Sequence, residues 1–324
     1  MRIRAIRTGS VRIKQSQVRG RGRGVLRRLR VFADPQWTGW LPTYAWMIDH
    51  REGVIVVDTG QGTHLLDMAR SRHPYLRWEV MFRIEPHEEV GPQLRALGVG
   101  PRDVTRVVLT HLHIDHDGGL AHFPNSDIFV SRLELASAQG VMGRLRGYLP
   151  NRWPTWFNPL PLDFTAESFG PFGASAKLTK AGDVIAVPTP GHTAGHLSVI
   201  ALDEGIAYVI AGDTSYTEAL MLAGQVDGVS ADDATAQATL SSLQRFAAER
   251  PVVYLPTHDP ESAERLSQRR LALTPSSLEA PPVSADGRNV NWRESTCSVT
   301  LTSSGRCDGF ARTLWVCWPR RYGR

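Results

Sequence analysis

Short apolar runs, each ending in a polar or glycine-containing turn, recur between residues 41 and 255. Residues 41–49 and 53–58 read as two strands joined by a turn at 50–53, a hairpin that closes on Asp58-Thr59-Gly60. Helical spacing over 88–97 stops at Gly98 and Gly100. Residues 104–109 are short and mostly apolar, which predicts a buried strand. A strand at 127–130 is followed by a helix over 132–139. Strands return at 184–187, 197–202 and 206–211. The longest helical pattern spans 231–248, and a last short strand covers 252–255. Strands interleaved with helices predict an α/β fold built of packed layers. At the N-terminus, Ile3, Ile6, Val11 and Ile13 alternate loosely with polar residues, so 2–14 is expected as an edge strand.

Three stretches break the pattern. Residues 19–30 hold six arginines and read as a solvated loop, with contact to an anion or a polar substrate as the sharper alternative. Residues 140–180 lose periodicity and gain proline and aromatics, which suggests an insertion packed near the functional site. After Pro281 the pattern stops, and 284–324 reads as a poorly ordered tail rich in Ser and Arg, leaving 1–283 as the folded domain.

Composition changes this picture little. At 324 residues with 42% hydrophobic and 21% charged residues, an ordinary globular protein is expected. The net charge of +5 is unevenly placed. Residues 1–30 carry eleven basic residues and no acid, whereas 31–283 hold 19 basic against 29 acidic residues, a net −10. The body therefore gives no reason to expect a nucleic-acid partner. No apolar run reaches the ~20 residues of a membrane span, and no secretory signal pattern is visible. Cys297, Cys307 and Cys317 all lie in the tail, so no disulfide framework is expected, and the chain fits a cytoplasmic location.

The informative segment is Thr110-His111-Leu112-His113-Ile114-Asp115-His116-Asp117-Gly118-Gly119, which begins where an apolar strand ends. Imidazole and carboxylate together suit Zn²⁺, Fe²⁺ or Mn²⁺. Residues i and i+2 of an extended segment face one side, so His111 and His113 can grip one ion. A helical turn after them would aim Asp115 and His116 at a second. Four ligands cannot fill two shells, and three further polar groups follow later strands: His192 and His196 in Thr189-Pro190-Gly191-His192-Thr193-Ala194-Gly195-His196, Asp213 after Gly212, and His258 in Thr257-His258-Asp259. Loops at strand ends are where α/β folds tend to place function.

In this order, HLHIDHDGG, TPGHTAGH, GD and THD resemble the metallo-β-lactamase superfamily, over roughly residues 35–265. The resemblance implies a four-layer αβ/βα sandwich with a dinuclear site at one edge. It implies that His111, His113 and His192 hold one metal, that Asp115, His116 and His258 hold the other, and that Asp213 bridges them. Two divalent ions are expected as cofactors, zinc first among them. Asp58 matches an early family aspartate that supports a ligand, and His196 is expected in a supporting role.

Asp213-Thr214-Ser215-Tyr216-Thr217 and the stretch IFVSRLELA at 128–136 are similar to the N-acyl homoserine lactonase branch. That resemblance implies metal-dependent opening of a lactone ring, as in quorum quenching. Tyr216 would reach the substrate carbonyl and Asp115 would pass a proton to the leaving alkoxide. Other lactones, thioesters or organophosphate esters are the alternative substrates. Trp37, Trp40, Trp153, Trp156 and Phe157 are candidate walls for an acyl groove. The expected partner is a small lactone or ester, with no nucleic acid and no membrane, and a homodimer is left open.

Overall fold

A computed structural model describes residues 1–68, 74–100 and 102–272. The expected tail, 284–324, lies outside the described residues. The strands are β1 (Arg2–Ile13), β2 (Leu41–His50), β3 (Gly53–Val57), β4 (Val80–Arg83), β5 (Val104–Leu109), β6 (Asp127–Ser131), β7 (Leu160–Leu162), β8 (Ala176–Lys177), β9 (Val184–Pro188), β10 (Leu197–Asp203), β11 (Ile206–Gly212) and β12 (Val252–Pro256). Among the described residues they form a seven-stranded sheet, β4-β1-β2-β3-β5-β6-β7, and a five-stranded sheet, β12-β11-β10-β9-β8.

Side-chain alternation assigns each face of each sheet. Trp46, Ile48, Ile55, Val57 and Val108 of the first sheet pack with Val184, Ala186, Val199, Ile210, Val253 and Leu255 of the second in one buried cluster. Their alternating neighbours Ala45, Met47, Val56, Val107, Leu109 and Val130 turn outward onto Val90 and Leu94 of the helix Val90–Ala96. On the other side Ile185, Val187, Ile200, Val209 and Tyr254 turn outward onto Leu240, Leu243 and Phe246 of the helix Asp233–Glu249. Helix, sheet, sheet and helix are thus stacked in four layers, as the resemblance implied.

The structure departs from the sequence reading in three places. The 2–14 strand is not an edge: β4 pairs outside it over Ser10–Ile13. β4 is only four residues long, too short for its pattern to stand out. The arginine-rich segment is a loop only over 19–23, because a helix runs over Gly24–Ala33. This helix is inverted relative to the usual pattern. It buries Arg27, whose guanidinium pairs with Asp233 and donates to Ser230 O at 3.0 Å, and it leaves Val25, Leu26, Leu29 and Phe32 exposed. An ion pair and the buried Val31 fasten it to the body, while the helical spacing of Val25, Leu26, Leu29 and Phe32 lies on its exposed face. The 140–180 stretch contains the helix Gly140–Leu145 and supplies β7 and β8 to the two sheets.

Candidate metal centre

β5, β9, β11 and β12 end at the same rim, and each delivers one part of the site. His111 lies two residues past β5, and His113 caps the short helix Ile114–Asp117, which carries Asp115 and His116. His192 follows β9, Asp213 follows β11 directly, and His258 lies two residues past β12. All seven expected ligands are brought together. His111, His113 and His192 form one group of mutually close donor atoms. His111, His116 and Asp213 form a second, and Asp115, His116 and His258 a third.

His113 Nδ1 lies 3.1 Å from both His111 Nε2 and His192 Nε2. Nitrogens sharing one tetrahedral zinc at about 2.0–2.1 Å stand about 3.3 Å apart, so this spacing fits an ion between them. Asp213 faces both halves: Oδ1 lies 3.3 Å from His116 Nε2 and 3.4 Å from His258 Nε2, and Oδ2 lies 3.6 Å from His192 Nε2. Asp115 Oδ2 lies 3.4 Å from His258 Nε2. His116 Nε2 and Asp213 Oδ1 are buried without a hydrogen-bond partner. Buried polar atoms are seldom left so, and here a shared cation accounts for both. The donor set of histidines and carboxylates fits divalent ions such as zinc.

The electrostatics call for positive charge at the same place. Burial disfavours a charged imidazole, but Asp213, Asp58 and Asp115 raise His116 well above the usual range, and Asp213 and Asp115 push His258 up to about 10. His111 and His113, buried and surrounded by other imidazoles, are lowered, His113 to about 3.

Several of the expected ligands are oriented from behind. Asp58 Oδ2 holds His116 Nδ1 at 2.9 Å and its Oδ1 accepts Thr110 N–H at 2.7 Å, which makes it the supporting aspartate expected from the sequence. Asp58 has a left-handed backbone at φ 57°, a strained conformation of the kind found at functional sites. Pro42 O accepts from His258 Nδ1 at 2.9 Å, which leaves Nε2 facing the site. His196 Nε2 accepts Asp213 N–H at 3.1 Å, the supporting role expected of it. Gly212 has φ +55°, and a Cβ there would come within 2.7 Å of His196 Nε2, so the turn that aims Asp213 needs glycine.

Several contributors were not foreseen. Asp227 Oδ2 holds His192 Nδ1 at 3.1 Å while its Oδ1 accepts Val229 and Ser230 N–H. Glu134, fully buried, accepts Leu112 N–H at 3.0 Å, Thr193 O–H at 2.7 Å and Gly195 N–H at 3.1 Å. An isolated acid in a loop or a helix gives no ligand-like spacing. Only the position of Glu134 within the lactonase-like stretch 128–136 hinted at a role.

A cavity of 210 Å³ opens onto His113, Asp115, His192, Asp213 and His258. Tyr216 lines it, stacked on the His258 ring at 5.7 Å between centroids, and Gln17 Nε2 donates to its hydroxyl at 2.9 Å. The expected aromatic walls are elsewhere. Trp37 stacks on Lys14, and Trp153 and Phe157 pack against the outer core, with Trp153 Nε1 donating to Asp117. Trp40 and Trp156 are exposed. The apolar wall is made instead by Val11, Ile13, Val31, Phe32, Leu145 and Val229. The 140–180 stretch reaches the site through Leu145, Arg146 and Tyr148.

Comparison with known proteins agrees with this geometry. The family model of the metallo-beta-lactamase superfamily matches residues 38–258. A probable metallo-hydrolase of Mycobacterium tuberculosis is 32% identical over 183 residues, 52% of this chain and 56% of that protein, so the chain spans little more than half of this relative's length. An N-acyl homoserine lactonase of a Bacillus species is 27% identical over 231 residues, 68% of this chain and 82% of that protein. A solved N-acyl homoserine lactone hydrolase, with N-hexanoyl-L-homoserine at its catalytic metal center, superposes with a TM-score of 0.66 at 20% identity, covering 81% of this chain and 94% of that one. At this identity the last agreement is one of fold.

Proposed function

The chain belongs to the metallo-beta-lactamase superfamily, and from that premise we propose that it is a metal-dependent hydrolase that opens lactone rings, N-acyl homoserine lactones foremost. One observation carries the reading: Tyr216 lines the same cavity as His113, Asp115, His192, Asp213 and His258, so a phenol and the ligand cluster face one substrate-sized space. Likeness to N-acyl homoserine lactonases over most of the body supports it.

His111, His113 and His192 would hold one divalent ion, zinc by preference, and Asp115, His116 and His258 a second, with Asp213 available to both, and such ions would supply Lewis acidity and a water nucleophile near neutral pH. The chain's own groups do the rest. Tyr216 presents its hydroxyl to the lactone carbonyl, where negative charge develops as the ring opens. Gln17 fixes the phenol in that direction. Asp115, which faces the cavity, takes a proton from the attacking water and passes it to the alkoxide that leaves the ring. The apolar wall excludes water from the substrate's non-reacting part. The chemistry requires no serine or cysteine nucleophile. Among the described residues no helix is long and apolar enough to cross a membrane.

The test compares zinc-loaded protein on N-hexanoyl homoserine lactone and on a phosphotriester. Lactone opening with a kcat/KM at least tenfold above that for the phosphotriester is expected. Preferential phosphotriester turnover, or no lactone opening, would replace the reading with another hydrolase of the same fold.

A further inference from the structure

Two charged side chains in the cavity take no part in the site described above. Glu79 is 4% exposed and lines the cavity, yet no hydrogen bond or ion pair holds its carboxyl among the described residues. Burial raises it to about 7, and the more distant positive charges of Arg28 and Lys14 only partly offset this. Arg28 lines the same cavity. Its one hydrogen bond among the described residues runs from Nη2 to Val229 O at 3.1 Å, and it forms no ion pair there. Glu79 and Arg28 feel each other's charge but do not touch. A largely buried carboxyl with no ion-pair partner is costly.

Both side chains line the cavity together with Gln17 and Tyr216. Glu79 precedes Val80, which pairs with Ile13, another lining residue. Arg28 leans on Val229, whose N–H is bound by the same Asp227 that orients His192, so Arg28 stands on the His192 side. A ligand group that satisfies both must donate one hydrogen bond and accept another across a short span. A secondary amide does this. An alkyl chain satisfies neither, and a simple anion satisfies only Arg28.

We propose that Glu79 and Arg28 form an amide subsite, in which the carboxylate accepts the substrate's N–H and the guanidinium donates to its carbonyl, and that this pair selects N-acyl lactones over alkyl lactones. The inference rests on the lactone reading for the identity of the ring and on the cavity alone for the amide.

Lactams separate the two, because they resist ring opening. Binding of the α-hexanoylamino and the α-heptyl N-methyl γ-lactams, equal in length and with no ring N–H, is measured by calorimetry at pH 8 on zinc-loaded protein. The wild type is expected to bind the amide-bearing lactam at least about tenfold more tightly, the scale of one hydrogen bond to a charged group. Glu79→Leu and Arg28→Leu should each lose most of that preference and bind the heptyl lactam as the wild type does. Glu79→Gln, which keeps an acceptor oxygen, should retain part of the preference. Equal binding of both lactams by the wild type, or an equal loss for both in the variants, would overturn the subsite. A preserved lactam preference in a protein that opens neither matching lactone would uphold the subsite and overturn the proposed reaction.

Discussion

Glu134 accepts a hydrogen bond from Thr193 at 2.7 Å, which ties the helix after β6 to the loop that carries His192. Its other oxygen accepts the N–H of Leu112, between His111 and His113. One buried carboxylate therefore sets the spacing of three expected ligands contributed by two separate loops. A glutamine in its place keeps the shape but turns one acceptor into a donor, which then faces N–H or O–H groups that need an acceptor. Glu134→Gln is expected to lower affinity for divalent metal by about 10–100-fold, the range seen when groups behind metal ligands are altered. Competition with a chromophoric chelator reads this directly. Unchanged affinity would make Glu134 a packing residue only.

Tyr216 is not among the proposed ligands, and its hydroxyl accepts from Gln17 Nε2 at 2.9 Å. Tyr216→Phe is therefore expected to leave metal content unchanged while slowing lactone opening. Losing one preorganised donor to a developing oxyanion costs on the order of 10²–10³ in rate. Where a cation polarises the same oxygen the loss should be smaller, about tenfold or ~1.4 kcal/mol. Metal analysis together with kcat and KM on N-hexanoyl homoserine lactone checks both halves. Identical kinetics in the variant would remove Tyr216 from the reaction.

Glu79 links the amide subsite to stability. Its carboxyl is raised to about 7 when folded, against an ordinary value near 4.5. Between those values the unfolded chain has released a proton that the folded chain still holds, so rising pH favours unfolding. The penalty is absent below the unfolded value and complete above the folded one. Glu79→Gln should therefore raise Tm at pH 8 and leave it unchanged at pH 4, while impairing binding of the amide-bearing lactam. A lower Tm at pH 8 would show that the carboxyl supports the fold.

The tail at 284–324 holds no proposed ligand and lies beyond the family match at 38–258. Removing it is expected to leave kcat/KM for the lactone within about twofold of the full chain. A large loss, or failure to obtain folded protein, would show that the tail belongs to the working domain.

The clustering of the seven expected ligands was legible because the segments that carry them follow apolar runs, and a strand end fixes where the next side chains point. β5, β9, β11 and β12 were each visible as short apolar segments, so His111, His192, Asp213 and His258 could be placed at one rim before any geometry was known. The cavity was not legible in the same way. Its walls come from Val11, Ile13, Val31, Phe32, Leu145 and Val229, six positions on four separate segments. Nothing in their local pattern marks them apart from core. The helix Gly24–Ala33 carries helical spacing in Val25, Leu26, Leu29 and Phe32, but its run of arginines reads as a solvated loop and the apolar face is the exposed one. Asp227, Glu134, Gln17 and Glu79 act through single long-range contacts, which leave no periodic trace.

The decisive measurement is lactone turnover during metal titration. Protein stripped with a chelator is titrated with Zn²⁺ while the initial rate on N-hexanoyl homoserine lactone is followed. Seven ligands arranged around a shared Asp213 predict no activity in the stripped protein and a rate that climbs to its plateau at two ions per chain. Full turnover without metal, or a plateau at one ion with no second ion bound, would contradict the dinuclear hydrolase.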